Sequence, residues 1–213
     1  ALHDDFEARS INDPPQIIRC LVPVGDFGHR LATQISPLWN AYYLALVIAC
    51  GHAIERARAP ADTVFSYRFL PGNAPNSSCR VFDPEVGWSG FLAKTRKACS
   101  AYSHVLVTDI GDFYHRISLD NLVASLQEVG VEDSLCERLF RMLEILEVRR
   151  FGLPIGGPAS RLLAELALVR MDTKLSQSGI AYVRFVDDIL VCASSVLEAH
   201  RHLYNVANTL WRD

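Results

Sequence analysis

The chain has 213 residues, enough for one large domain or two small ones, and half of them are apolar, so a buried core is expected. Its formal net charge of −3 argues against a nucleic-acid partner, because Lys and Arg supply much of the binding to phosphates. The longest mostly apolar stretch, 38–50, is shorter than the ~20 residues that cross a bilayer, so no membrane span is predicted.

The N-terminus, from Ala1 to Asp5, has neither an initiator Met nor the basic and apolar regions of a secretory signal, so we expect a fragment of a longer protein. The six cysteines are widely separated and none forms a CxxC pair. This spacing predicts neither a zinc site nor a disulfide framework, and it favours buried, reduced thiols in a cytoplasm.

The first predicted element is a helix over 37–58, with apolar side chains at helical spacing and Pro60 beyond its end. Residues 63–69 alternate β-branched and aromatic side chains, which predicts a strand. Residues 71–90 are rich in Pro, Asn, Ser and Gly and predict a loop.

The second half begins with a buried strand over 104–108 that ends at Asp109. Ser118 is expected to cap a helix that Gly130 stops. Further helices and strands follow from the apolar spacing, namely helices over about 134–148, 158–175 and 195–211, and strands over 182–186 and 189–192. This order predicts an α+β fold with mostly antiparallel pairing.

Two acidic residues, Asp187 and Asp188, separate the last two strands as in a tight hairpin. Asp is a common turn former, so a purely structural role is one interpretation. The flanking strands are apolar, however, and bring two carboxylates to the edge of a buried sheet, where uncompensated charge is unfavourable. The alternative interpretation is therefore a cation site.

Asp109 repeats this arrangement at the end of its own apolar strand. If the two strand ends lie side by side, Asp109 and Asp187 converge. Hard oxygen ligands suit Mg²⁺, which takes part of its coordination shell from water and substrate phosphates. Two such ions, ~3.5–4 Å apart, can activate a 3′-hydroxyl and stabilise a leaving pyrophosphate.

Three segments resemble the motifs of reverse transcriptases, in the family's order and spacing. Val-Leu-Val-Thr-Asp-Ile-Gly-Asp-Phe-Tyr, 105–114, is similar to motif A. Gly-Leu-Pro-Ile-Gly-Gly-Pro-Ala-Ser, 152–160, is similar to motif B, and Phe-Val-Asp-Asp, 185–188, to motif C. The resemblance is strong over 105–192 and weak over the first hundred residues.

The resemblance implies the fingers and palm of a right-hand polymerase, with an antiparallel palm sheet backed by helices. The fingers region would comprise residues 1–103, and the palm residues 104–213, with helices over 118–150 contributing to the fingers. Because the sequence stops soon after the helix that follows motif C, we expect the thumb to be absent from this chain.

The resemblance also assigns roles to the motif A and C residues. Asp109 and Asp187 would be metal ligands, the Ile110 carbonyl would complete one shell, and Asp188 is the second acid of its box. The backbone N–H groups of Gly111, Asp112 and Phe113 would contact the triphosphate. Tyr114 occupies the position of the aromatic steric gate that favours deoxynucleotides; its alternative interpretation is a core aromatic.

The turn containing Pro154, Ile155 and Gly156 is a candidate nucleotide contact, because glycines let a backbone approach a substrate closely. An ordinary loop is the alternative. The family usually has Gln where this chain has Ile155, so template reading in the usual manner is not expected.

Residues 160–165, Ser-Arg-Leu-Leu-Ala-Glu, with Asp172, resemble the bacterial abortive-infection and defence-associated branch of the family. The alternative for Glu165 and Asp172 is a solvated or salt-bridged helix face. Members of this branch are linked to anti-phage defence, and several make DNA without a template, some from a protein primer. The resemblance therefore implies a cytoplasmic bacterial DNA polymerase of this type.

Two other functions stay open. One is templated cDNA synthesis of the retron or group II intron type, and the other is a catalytically idle scaffold that binds RNA or protein. The expected cofactors are two Mg²⁺ ions, with Mn²⁺ as an alternative. The expected partners are dNTPs, a DNA product, an RNA template or noncoding RNA, a thumb or C-terminal domain outside this chain, and a second copy of the chain.

Cations for the triphosphate are expected from the fingers, because charge develops on its oxygens during transfer. Arg30 and Arg68 are the candidates, with Arg184 beside the acidic pair as a third. For each of them a surface or salt-bridging arginine is the alternative interpretation, and the one that such residues more often fit.

Overall fold

The computed structural model describes residues 13–70, 80–147 and 150–212, in which we number the elements in chain order. The strands are β1 Ile17–Val24, β2 Gly28–Ile35, β3 His104–Thr108, β4 Tyr182–Phe185 and β5 Asp188–Ala193. The helices are α1 Pro37–Ala57, α2 Trp88–Ala101, α3 Phe113–Arg116, α4 Leu119–Glu128, α5 Asp133–Leu146, α6 Pro158–Ala167, α7 Val169–Gln177 and α8 Val196–Arg212. Predictions on the N-terminus to Asp5, the loop over 71–79, Cys79 and the helix end at 148 lie outside the described residues.

The strands form two small antiparallel sheets. β1 and β2 make a hairpin, while β3, β5 and β4 form a three-stranded sheet with β5 in the centre. The predicted mixture of helices and antiparallel strands is confirmed. Because β5 pairs with both neighbours, the C-terminal ends of β3 and β4 lie side by side at the edge of the sheet where β5 begins.

The largest core cluster extends from Ile35 to Val206 and centres on α1, which packs against α5 and α6. Tyr43 of α1 and Ser160 of α6 share a buried hydrogen bond of 3.1 Å. By length and composition α1 is apolar enough to cross a membrane, but 44% of its most apolar window is buried inside the protein. A single helix of this kind is weak evidence for a membrane span, because core helices pass the same test of length and composition.

The predicted strand over 63–69 is wrong. This segment makes only isolated bridges, between Val64 and Arg184 and between Phe69 and Phe82. Tyr67 has a φ of 43°, which interrupts extended structure. A side chain also takes the place of a neighbouring strand, because Arg58 donates to the carbonyls of residues 66 and 67.

The β1–β2 hairpin and α2 were not anticipated, although Gly25, with a φ of 64°, and Gly28 mark the hairpin turn. The predicted helix over 158–175 is divided in two at Leu168, whose N–H reaches back only three residues to Glu165. The prediction for the helix capped by Ser118 is confirmed, since its Oγ accepts from the Asn121 N–H.

The prediction of buried cysteines holds for only part of the set. The described thiols are free, and three are buried whereas two are exposed: Cys50, Cys136 and Cys192, against Cys20 and Cys99.

Candidate active site

The acidic hairpin differs from its prediction by one residue. Phe185 pairs with Asp188, so the turn residues are Val186 and Asp187, and Asp188 begins β5. Val186 has a φ of 56°, a region that β-branched residues rarely adopt. Glycine is the usual residue where a two-residue hairpin needs a positive φ. The turn that carries Asp187 is therefore strained.

Asp109 reaches the same edge of the sheet from β3. Thr108 pairs with Ile189 in an antiparallel register, so the next residue, Asp109, lies opposite Asp188. Strand pairing alone therefore brings together carboxylates that are about eighty residues apart in sequence.

The three carboxylates interact electrostatically. Burial raises the pKa of Asp187 above its ordinary value, and the negative charges of Asp109 and Asp188 raise it further. Burial and Asp109 also raise the pKa of Asp188. Arg30 opposes both shifts. The edge of the sheet thus holds negative charge that one arginine compensates only in part.

Oxygen ligands of this kind fit a hard divalent cation such as Mg²⁺. Within the described ranges, no three His, Cys, Asp or Glu side chains are already gathered into a group that could hold a metal. Mg²⁺ binds through one or two carboxylates together with waters and substrate phosphates, so this cation does not require a closed protein cage.

A cavity of about 680 Å³ opens in front of these acids. It brings together most of the candidate residues from the sequence, which are Arg30, Asp109, Ile110, Asp112, Phe113, Tyr114, Ile155, Gly156, Asp187 and Asp188. Gly111 and Pro154 line neighbouring cavities instead.

Tyr114 lies in the short helix α3. The residue before this helix, Asp112, has a left-handed conformation with a φ of 55°. The Tyr114 ring packs against the main core and also lines the cavity. Its centroid is 5.6 Å from that of Phe113. Burial raises the pKa of Tyr114 well above its ordinary value, so the hydroxyl stays protonated. Both interpretations of this residue, as core aromatic and as cavity wall, describe part of its environment.

The glycine-rich turn is attached to the N-terminal hairpin. Thr33 of β2 donates its N–H to the Ile155 carbonyl at 2.8 Å, and the Ile155 N–H donates to the Thr33 hydroxyl at 3.3 Å. Gly156, with a φ of 129°, allows the backbone to turn away at the cavity. Arg30 lies on the same strand as Thr33 and lines the cavity, where its positive charge opposes the raised pKa of Asp187 and Asp188.

Arg68 does not line the cavity, so its candidacy as a triphosphate contact is corrected. Its side chain is buried, pairs with Glu55 at 2.8 Å and donates to the carbonyls of Val64 and Ala59. Arg184 is also fully buried, and its guanidinium binds carboxylates inside the protein. Both arginines were compatible with a salt-bridging role, and the structure shows that role.

The cavity also contains residues that were not candidates. Arg161 of α6 lies over the Tyr67 ring at 4.9 Å and reaches the cavity wall, where Trp88 also lies. Arg161 could have been suspected, because it follows the glycine-rich turn by one helical turn. Tyr67 and Trp88 could not have been predicted from the sequence, because only the tertiary fold brings their segments to the cavity.

Comparison with known proteins gives one family and no curated relative. The family model described as reverse transcriptase (RNA-dependent DNA polymerase) matches residues 51–212. No curated protein matches the chain significantly. The match covers the acids, the glycine-rich turn and most of the core.

The enzyme class follows from this match: the protein is a nucleotidyltransferase, of the kind that synthesises DNA on RNA. Polymerases of this type generally use divalent metals such as Mg²⁺, and they act on nucleic acids and nucleotides. The chain belongs to the reverse transcriptase family.

Proposed function

We propose that the cavity adds deoxynucleotides to a DNA strand, with Asp109, Asp187 and Asp188 as its catalytic carboxylates. The observation that carries this proposal is the convergence of the three acids on one edge of the β3–β5–β4 sheet, facing one cavity. In this proposal residues 104–213 form the palm and residues 1–103 the fingers of a right-hand polymerase.

Asp109 and Asp187, with the Ile110 carbonyl, would hold two Mg²⁺ ions, or Mn²⁺ in their place. Held by these residues, the cations would supply charge stabilisation for the transferred phosphoryl group and would make the attacking hydroxyl more acidic. The chain itself orients the nucleotide. Arg30 would offer its guanidinium to the triphosphate, and Asp112 and Phe113, which line the same cavity, would donate their backbone N–H groups.

Tyr114 is proposed to exclude ribonucleotides. Tyr114→Val shortens the side chain at the cavity wall, so the preference for dNTPs over rNTPs should fall roughly 10–100-fold, the range that a change of pocket volume produces. Tyr114→Phe keeps the ring and is the matched control. Competition between dNTPs and rNTPs measures the preference; equal preference in both variants would contradict the steric role.

We further propose that synthesis does not require a template. Ile155 is the supporting observation, because its backbone N–H and carbonyl both bind Thr33 and its side chain has no hydrogen-bonding group for a base. The resemblance of residues 160–165 to defence-associated relatives supports an anti-phage role in a bacterial cytoplasm.

The full protein, given dNTPs and Mg²⁺, is expected to make DNA whose sequence does not depend on an added RNA. Sequencing the products with and without an RNA of defined sequence measures this. Ile155→Gln supplies a side-chain amide and is expected to raise the share of products that copy the RNA, whereas Ile155→Leu is not. Products of the wild-type protein that copy the RNA throughout would replace this proposal with templated synthesis.

A further inference from the structure

The strained turn that carries Asp187 is bound by two buried side chains, Ser66 and Arg184. Ser66 is fully buried, and its hydroxyl accepts from the Val186 N–H at 3.0 Å while donating to Glu165 at 2.5 Å. The Val186 carbonyl in turn accepts from Arg184 at 2.8 Å. Both backbone polar groups of the residue with positive φ are therefore bound by side chains.

Ser66 is itself fixed by backbone contacts. The Phe65 N–H donates to the Arg184 carbonyl, and the Arg184 N–H donates to the Thr63 carbonyl. These bonds attach the segment before Ser66 to β4 in a short parallel pairing that includes Val64. The serine therefore reaches the turn from a segment that is hydrogen-bonded to β4.

A continuous ion-pair network lies behind Ser66. It alternates three arginines with three acids in the order Arg68, Glu55, Arg58, Glu165, Arg184, Asp172. We call it the buried ion-pair network.

The charges of its inner members are balanced. Arg58 and Arg184 both bind Glu165, at 2.8 and 3.0 Å, and Arg184 also forms a two-point contact with Asp172. Burial alone would raise the pKa of Glu165, but the two guanidinium groups and Ser66 outweigh it and lower the pKa. Glu165 is therefore ionised, and its charge orients the Ser66 hydroxyl.

The network constrains geometry more than it adds stability. Buried ion pairs contribute less to stability than apolar packing of similar volume, whereas their directional contacts favour one defined arrangement. Positive φ at a β-branched residue persists only where the surroundings impose it. Here the residue with positive φ is Val186, directly before Asp187.

Resting on the proposed function, we propose that Ser66, oriented by Glu165, is a positioning residue that holds the Val186–Asp187 turn and so sets the place of Asp187 relative to Asp109. Ser66 lies in neither the cavity wall nor the acidic set, so it acts through the turn.

The test uses Ser66→Ala, Val186→Gly and their combination in the full protein. Ser66→Ala should lower kcat between tenfold and 100-fold, the effect of a misplaced catalytic group, and raise the Mg²⁺ concentration for half-maximal activity. Val186→Gly allows the positive φ without support. The combined variant should therefore recover kcat to within about threefold of Val186→Gly alone.

A second readout needs no activity. In metal-free protein, hydrogen exchange of the peptide over 183–190 should accelerate at least about tenfold in Ser66→Ala, because the Val186 N–H loses its acceptor. Ser125→Ala, the same change at another buried serine, is the control and should leave exchange there unchanged. Circular dichroism melting sets an assay temperature at which every variant is folded.

Each outcome decides the matter. Wild-type kinetics in Ser66→Ala, or a defect of equal size with and without Val186→Gly, would overturn the positioning role. Unchanged exchange in Ser66→Ala would overturn the positioning role whether or not the protein is active. Failure of the wild-type protein to incorporate dNTPs would count against the proposed function alone.

Discussion

Asp187→Asn is expected to lower dNTP incorporation about 1000-fold. The substitution keeps the size of the side chain but removes the charge of a proposed metal ligand at the edge of the sheet where Asp109 and Asp188 also lie. Loss of roughly 4 kcal/mol of transition-state stabilisation corresponds to this factor. Steady-state incorporation of labelled dNTP, with Mg²⁺ and with Mn²⁺, measures it.

The same variant should not be less stable than the wild type. Burial and the charges of Asp109 and Asp188 raise the pKa of Asp187, so ionisation of this carboxyl is less favourable in the folded than in the unfolded protein. Removing that charge should leave the melting temperature equal or higher. Asp120→Asn, which removes a carboxylate from the exposed surface of α4, is the control and should retain activity. Full activity in Asp187→Asn would remove the basis for the proposed site.

Glu165→Gln is expected to lower the free energy of unfolding by about 3–5 kcal/mol. Glu165 is completely buried, and its removal leaves Arg58 and Arg184 without the carboxylate they share. For a chain of this length the melting temperature should fall by roughly 10 °C. Urea denaturation at pH 7 measures the difference.

The pH dependence of this difference has a defined sign. The pKa of Glu165 lies below its ordinary value of 4.5, so its contribution is fully present above pH 4.5 and is lost as the pH falls through the lower, folded value. The gap between wild type and Glu165→Gln should therefore narrow in acid. Glu137→Gln breaks an exposed pair with Arg141 and is the control. An equal loss in both variants would contradict a special role for the buried pair.

Part of the site could be predicted because strand ends obey simple rules. One apolar strand ends at Asp109 and another at the pair that begins with Asp187, and this pattern predicted that the acids lie close together. The antiparallel register brings those strand ends side by side. The turn itself was displaced by one residue. Val186 gave no signal for it, because a β-branched residue disfavours the positive φ that it adopts.

The arginines could not be assigned from sequence for a different reason. Arg30 and Arg68 both looked available to a triphosphate, but only tertiary contacts decide which guanidinium reaches the cavity. Arg68 and Arg184 pair with acids on other elements, and the link from Arg58 to Glu165 spans 107 positions. No local pattern reports pairing over such a separation. The strand predicted over 63–69 was also wrong, because the Arg58 side chain donates to two of the carbonyls that a neighbouring strand would bind.

The internal pairing of Arg58, Arg68 and Arg184 has a consequence for how the enzyme holds a polynucleotide. In the described part of the chain, the cavity wall keeps Arg30 and Arg161 as its guanidinium groups. Each phosphate neutralised by a protein cation releases a counter-ion, and the number released sets how steeply affinity falls with ionic strength. With two such groups at the cavity, we expect this site to neutralise few phosphates, so its affinity for a polynucleotide should fall less steeply with ionic strength than that of a site with about six to ten phosphate contacts.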